Sequence, residues 1–380
     1  MFENYNQLGI YKISDLMKKL WFIIILLIFI MGCSPQKSGQ NKADDLSIGS
    51  STDEPLKASD DEFRQTLIDN IQSGGPPPDG IPPIEEGLYE SVDEANKWLN
   101  DYDRIFIYET NEEVYLFPQR ILVWHEIVNL KSLENPVALT YCPLTGSVIA
   151  YDYPSEYDTS FGTSGSLINS NLLMYDRATN AYISQIDGVG LTGDLKGYVL
   201  ISQPTFWSDW QHVKVAYPNA LVLTDETGFL RDYKTDPYGS YNDIKSNNYY
   251  YNEGVIFPVM NQDHNNTFKA KASIIGLKHK ESYLALNPVK AQKDTPFTFE
   301  FEGTDFSALY DDRIGAVRLY VTPQGEALNF EDDLIRSKSG LEWTPLGQAI
   351  GNHENLQSPQ YFEVMWFAWY AFYPQTEVIR

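Results

Sequence analysis

The residues of this chain whose types could do chemistry gather between positions 125 and 233. They are His125-Glu126, Cys142, the run Phe161-Gly162-Thr163-Ser164-Gly165-Ser166, Asn169-Ser170-Asn171, Asp176-Arg177 and Arg231-Asp232-Tyr233. A cysteine with a histidine as its base is the pattern of a thiol nucleophile. The same pair, Cys142 and His125, supplies two ligand types favoured by metals. Reactivity would need a base or a positive charge to lower the thiol pKa, and His125 or Arg177 could provide it after folding. The competing reading of a solitary cysteine is a small buried hydrophobe. Asp176-Arg177 closes the apolar run Leu172-Leu173-Met174-Tyr175, so the pair is either an ion pair that holds a loop or a grip on a ligand. Ser166 and Asn169 stand close enough in sequence to serve as hydrogen-bonding neighbours. The expectation is a pocket built from Cys142, His125, Asp176 and Arg177, with Ser166 and Asn169 beside it, taking a small ligand or a metal. No HExxH, CxxC or nucleophile-elbow motif is present. The run from Gly162 to Ser166 has no lysine and does not read as a phosphate cradle. The other histidines, at 212, 264, 279 and 353, show no metal-ligand spacing.

The elements that must position these residues read as mostly strand. Arg104 to Glu109 and Val114 to Phe117 alternate around Thr110-Asn111-Glu112-Glu113 as a hairpin does. Pro118 suits the first turn of a helix with apolar positions Ile121, Leu122, Ile127 and Val128. Strands are expected at Val137–Tyr141 and Ser147–Tyr151, joined by Cys142-Pro143-Leu144-Thr145-Gly146. Upstream, Gly74 to Ile84 holds five prolines. Proline fixes φ and removes a donor, so this segment reads as an extended strap laid over the body. Ser91 with Glu94 and Ser59 with Glu62 are capping boxes that open short helices.

The N-terminus reads as a targeting signal. Lys18-Lys19 precede the apolar run Leu20 to Met31, and Gly32-Cys33 follow. The run is too short to span a bilayer, which takes roughly 20 helical residues. A basic n-region, a short apolar core and a small residue at the cut describe a signal peptide. Its Gly-Cys end resembles a bacterial lipobox, with Cys33 carrying the lipid and residues 1–32 removed. Met17 looks like the true initiator. Residues 33–73 then form a polar tether ending in a short helix. The 52 acidic against 28 basic residues, a net charge of −24, speak against nucleic acid as a partner. The two cysteines exclude a disulfide scaffold.

An internal echo divides the body. Trp207 and Trp210 with Tyr217-Pro218 are followed at the C-terminus by Trp366 and Trp369 with Tyr373-Pro374. Gly188 to Gly193 lines up roughly with Gly347 to Gly351, and Val114-Tyr115-Leu116 with Ser282-Tyr283-Leu284. The tryptophan pairs read best as core residues at helical i, i+3 spacing. The expected fold is β-rich α+β, with two diverged pseudo-repeats packed as one body and short helices. Its halves are 74–271, which includes the strap, and 272–380.

Several motifs in order resemble one bacterial family, the domain of unknown function 3179. They are GGPPPDGIPPI (74–84), ILVWHEIVN (121–129), TYCPLTGS (140–147), FGTSGSLINSNLLMYDR (161–177), TGFLRDYKTDPYGSY (227–241) and FAWYAFYPQTEV (367–378). Family members often read CPLCG where this chain has Cys142-Pro143-Leu144-Thr145-Gly146, so the resemblance implies no two-thiol chemistry here. It implies a shared fold but no activity. The expected function is a cell-envelope lipoprotein, held to the membrane by lipid on Cys33, whose first half binds a small ligand or metal. The alternatives are a thiol-dependent enzyme using Cys142, or a structural, partner-binding envelope protein with no catalytic site.

Overall fold

The computed structural model describes residues 61–243, 245 and 247–380. Met17, Cys33 and Ser59, expected as initiator, lipid attachment site and helix cap, lie outside the described residues. Among the described residues, no helix is long and apolar enough to cross a membrane.

The alternation around residue 110 does form a hairpin, Arg104–Glu109 against Val114–Pro118. Its centre, Ile105 to Ile107, is fully buried on both faces. Thr205–Asp209 flanks it antiparallel on one side, and Leu221–Leu223 flanks it parallel on the other. The strands Ile127–Leu130, Val137–Cys142 and Ser147–Asp152 form a meander. Phe161–Ile168, Asn171–Asp176 and Tyr182–Ser184 form a second one. The same order recurs downstream. The hairpin Ser273–His279 with Ser282–Leu286 is flanked by Gln360–Met365 antiparallel and Glu377–Ile379 parallel. Between them lie the meanders Phe297–Phe301, Thr304–Asp311, Ala316–Val321 and Leu328–Glu331, Leu334–Ser337, Glu342–Trp343. A short helix follows each hairpin, Gln119–Leu122 and Pro288–Lys293, and one precedes each last strand, Trp210–Ala216 and Trp366–Phe372. Six sheets and six short α-helices among the described residues make this a β-rich α+β fold.

The pairing register corrects the sequence alignment of the tryptophans. Trp210 and Trp366 each open a helix, Tyr217 and Tyr373 each end one, and Val222 and Val378 sit in the strands that pair parallel to each hairpin. These pairs are all 156 residues apart (210 to 366, 217 to 373, 222 to 378), rather than the 159 that joins Trp207 to Trp366. Trp207 lies in a strand, and its topological counterpart is Glu363. Only Trp366 and Trp369 share a helix at i, i+3, and both are buried.

A second correction concerns Pro118. The helix it introduces ends at Leu122, and Ile127-Val128 belong to a strand. Glu126 takes a left-handed φ of +58°, which breaks the helix and turns the chain into the meander. The β-branched Ile127 and Val128 then fill a strand buried on both sides. The Ser91 cap forms as expected, its hydroxyl accepting from the Glu94 N–H at 3.3 Å, but the helix is only Val92–Ala95.

Polar contacts tie the upstream and downstream elements together inside the body. Arg318, 1% exposed, donates to Glu109 at 2.6 and 2.9 Å and to Asp311 at 2.9 Å. Burial alone would raise the Glu109 carboxyl, but Arg318 overrides it and holds the pKa low. Lys278 donates to the carbonyls of Ile186 and Asp187 at 2.6 and 2.9 Å.

Candidate functional site

The strap explains much of the polar sequence. It runs along Phe161–Ile168, with Gly74 N–H on the Gly165 carbonyl and Asp79 N–H on the Thr163 carbonyl, both at 2.8 Å. A Cβ on Gly165, whose φ is +74°, would lie 2.0 Å from the Pro76 carbonyl oxygen. The glycines of FGTSGS therefore serve a close backbone approach. Arg177 grips Asp79 with two bonds, 2.7 and 3.1 Å, and also donates to Tyr175. Asp176, fully buried, accepts from Thr159 at 2.5 Å and from the N–H and hydroxyl of Thr179 at 2.7 Å. The first residue of this pair folds a turn and the second pins the strap.

His125 holds the strap from the other side. Its Nδ1 meets the Pro82 carbonyl and its Nε2 the Tyr233 hydroxyl, each at 2.7 Å. A carbonyl only accepts, so Nδ1 carries the proton and Nε2 accepts from Tyr233. Burial lowers the His125 pKa, with the Pro82 bond opposing it and Arg231 assisting. Neither nitrogen is left to serve Cys142.

Cys142 is 1% exposed, and its sulfur reaches the Ser170 carbonyl at 3.8 Å. Burial, then the charge of Glu126, pushes its pKa up to about 11. That is the reverse of the electropositive setting a reactive thiolate needs. Asn169, also left-handed at φ +53°, is used by the Ala371 carbonyl and the Met260 N–H. Ser166 pairs with Ser73 and Leu173 in the sheet. No hydrogen bond or ion pair joins any two of the six expected site residues. His125 and Arg177 share only the strap. Among the described residues no group of three or more His, Cys, Asp or Glu side chains is placed to hold a metal.

The remaining polar motifs close on themselves. Asn171 donates to Thr145, Ser147 and Gln185, while Gln185 donates to Thr140 and Asn171 accepts from Ile186 N–H. This network is buried and fully partnered, as such networks must be to be tolerated.

A different constellation has donors to spare. A cleft of about 100 Å³ opens between the Gln119–Leu122 helix and the segment from Tyr233 to Asn242. Asp103, Arg104, Arg120, Lys234, Asp236 and Tyr241 all line it. Its acids are occupied. Asp236 accepts from Gln119 and Tyr250 at 2.9 Å and from Tyr238 N–H at 2.8 Å. Asp103 accepts from Asn100 N–H at 2.9 Å and faces Arg120 at 3.4 Å. The half-buried Arg104 guanidinium makes no hydrogen bond or close ion pair among the described residues, although its charge works against the burial that raises the Glu363 carboxyl. The buried Tyr241 hydroxyl, beside that of Tyr141 but outside bonding geometry, has none either. Trp207 packs edge-on against Tyr241, with centroids 5.4 Å apart, and its buried indole N–H is also unclaimed. Buried donors are nearly always partnered, so the Tyr241 hydroxyl, lining the cleft beside the half-buried Arg104, marks a place for an acceptor.

Sequence reasoning missed Arg104, Arg120 and Tyr241, because they come from separate elements and share no motif. Its one pointer was Tyr233, the residue that links this cleft to His125.

Behind the cleft wall lies one more anomaly. The Glu126 carboxyl is 7% exposed, has no partner among the described residues, and burial pushes its pKa up to about 8.

Neither a curated protein nor a solved structure matches the chain. One family profile does, over residues 78–376. That span takes in the strap from Pro78 onward, both hairpins, all the meanders and the cleft, and on it the chain belongs to the family described as protein of unknown function (DUF3179).

Proposed function

We propose that the protein is a membrane-tethered envelope lipoprotein whose first half binds a small anion in the cleft at Arg104. The tether rests on the sequence around Cys33. The binding rests on one observation, the Arg104 guanidinium lining the cleft together with the buried, unclaimed hydroxyl of Tyr241. A carboxylate or phosphate group supplies the acceptors these donors lack, and its charge is matched by Arg104, Arg120 and Lys234. The cleft admits only a group of a few heavy atoms. The ligand-efficiency ceiling of about 1.5 kcal/mol per heavy atom then caps the affinity at a Kd of roughly 40 μM for acetate and roughly 3 μM for phosphate.

Calorimetric titration of the protein with inorganic phosphate and with acetate tests this reading. Binding should appear for at least one anion and weaken about tenfold or more in Arg104→Gln, the usual loss for one charge-assisted contact. Absence of binding by either anion, or binding indifferent to Arg104→Gln, refutes it. The thiol-enzyme alternative has no comparable support, since His125 is committed elsewhere and the Cys142 thiol is pushed up.

A further inference from the structure

The segment that walls the cleft also carries the most exposed apolar side chain of the described residues. Leu230 is 98% exposed and its neighbour Phe229 is 42% exposed. They sit at the tip of a loop whose base is fastened, because Thr227 and Tyr233 share a hydroxyl bond and Tyr233 donates to His125. Phe229 rests against the His125 ring at 5.3 Å, which aims the tip outward from a fixed support. Arg231 follows Leu230, and among the described residues its guanidinium is bonded only to the Leu230 carbonyl. Tyr233 and Lys234, three and four residues from Leu230, line the cleft. At roughly 3.5 Å per residue the tip lies within about 14 Å of the anion site.

Apolar tip, flanking cations and an adjacent anion cleft have one common complement. We propose that this face docks on a lipid surface, with the headgroup phosphate of an anionic phospholipid in the cleft and Phe229 and Leu230 inserted among the acyl chains. The inference rests on the anion reading above and names the source of the anion. Leu230 in water is unfavourable, and burying it in hydrocarbon removes that penalty. Arg231, Lys234 and Arg104 are complementary to an anionic leaflet. Tyr251, 38% exposed, is tied by its hydroxyl to the Tyr241 carbonyl, giving an amphipathic ring beside the cleft of the kind found at membrane interfaces. Asp225, Glu226, Asp232 and the cleft-lining Asp236 in the same segment oppose a generalised attraction, as does the net charge of −24. Contact therefore depends on the local site rather than on the overall field.

The test uses the full chain carrying Cys33→Ser and Leu230→Cys, the latter labelled with an environment-sensitive fluorophore; Cys142 is sealed from the reagent. The probe is vesicles of phosphatidylcholine, with or without phosphatidylglycerol. The expected result is a blue shift on the phosphatidylglycerol vesicles, competed by inorganic phosphate, with half-saturation at least about tenfold higher in Arg104→Gln. No shift on either vesicle, in a protein that still binds inorganic phosphate through Arg104, overturns the lipid inference and leaves the anion reading standing. An equal shift on both vesicles that ignores Arg104→Gln overturns it too. A shift on concentrating the protein without vesicles assigns the tip to a contact between copies and overturns it. Loss of phosphate binding itself removes both readings together.

Discussion

Glu126 offers a direct measure of what the fold imposes on a single carboxyl. In the unfolded chain it titrates near the ordinary 4.5, and in the folded chain burial holds it near 8. Below pH 4.5 the group is protonated in both states and contributes nothing. Between 4.5 and 8 the unfolded state gives up the proton while the folded state keeps it, so stability falls as pH rises. The slope is about 1.4 kcal/mol per pH unit, and the loss is complete above the folded value. At pH 7 the accumulated penalty is about 3 kcal/mol, and at pH 9 it approaches about 5 kcal/mol as an upper bound. Glu126→Gln keeps the shape and the unpartnered polar group but abolishes ionisation. The variant should thus be within about 1 kcal/mol of the parent at pH 5 and more stable by about 3 kcal/mol at pH 7. Urea denaturation followed by tryptophan fluorescence at pH 5, 7 and 9 reads this difference, and the other titrating groups cancel between the two proteins. A stability difference that is the same at all three pH values refutes the assignment of an unpaired, buried carboxyl.

Removing Arg318 by Arg318→Met should destabilise by about 3–5 kcal/mol in the same assay, because Glu109 and Asp311 are left buried without their cation. A loss below about 1 kcal/mol would mean that Arg313 or water replaces it. Gly165→Ala should displace the strap, since the new methyl meets the Pro76 carbonyl and φ is +74°. Limited proteolysis should then cut between 74 and 84 where the parent resists, and an unchanged digest contradicts the close approach. Native Cys142 should resist a thiol reagent at neutral pH and react after denaturation, judged against Cys142→Ser. Fast native labelling would restore the nucleophile reading.

What could be read in advance follows from how local each signal was. The hairpin at Arg104–Glu109 and the strands at Val137 and Ser147 were legible because alternation and β-branched residues act over neighbouring positions. The helix after Pro118 was misjudged because Ile121, Leu122, Ile127 and Val128 fit a helix face as well as a turn followed by a strand. The left-handed Glu126 that decides between them leaves no mark in the pattern. Asn171 reads as chemistry in the sequence, but in the fold it is satisfied by Thr145, Ser147 and Gln185 inside a buried network. Arg177 and Gly165 contact the chain's own strap, and Asp176 holds a turn through Thr159 and Thr179. The cleft was invisible because Arg104 and Arg120 meet the 233–242 segment only through tertiary contacts, and an unclaimed donor can be recognised only once its neighbours are known.

The sheet order carries a consequence for how the chain is made. Each hairpin is completed by strands that arrive about one hundred residues later, Thr205–Asp209 for the first and Gln360–Met365 for the second. Such distant pairings fold slowly. During synthesis the first set of strands is complete once Leu223 has emerged, while the remaining 157 residues (224–380) take roughly 8–30 s at ordinary elongation rates. In that interval Ile186 and Asp187 wait for Lys278, and Glu109 waits for Arg318. The nascent chain therefore passes through a state with its first sheets paired and its inner carboxylates unmatched, the stage at which a holdase chaperone would have most to protect.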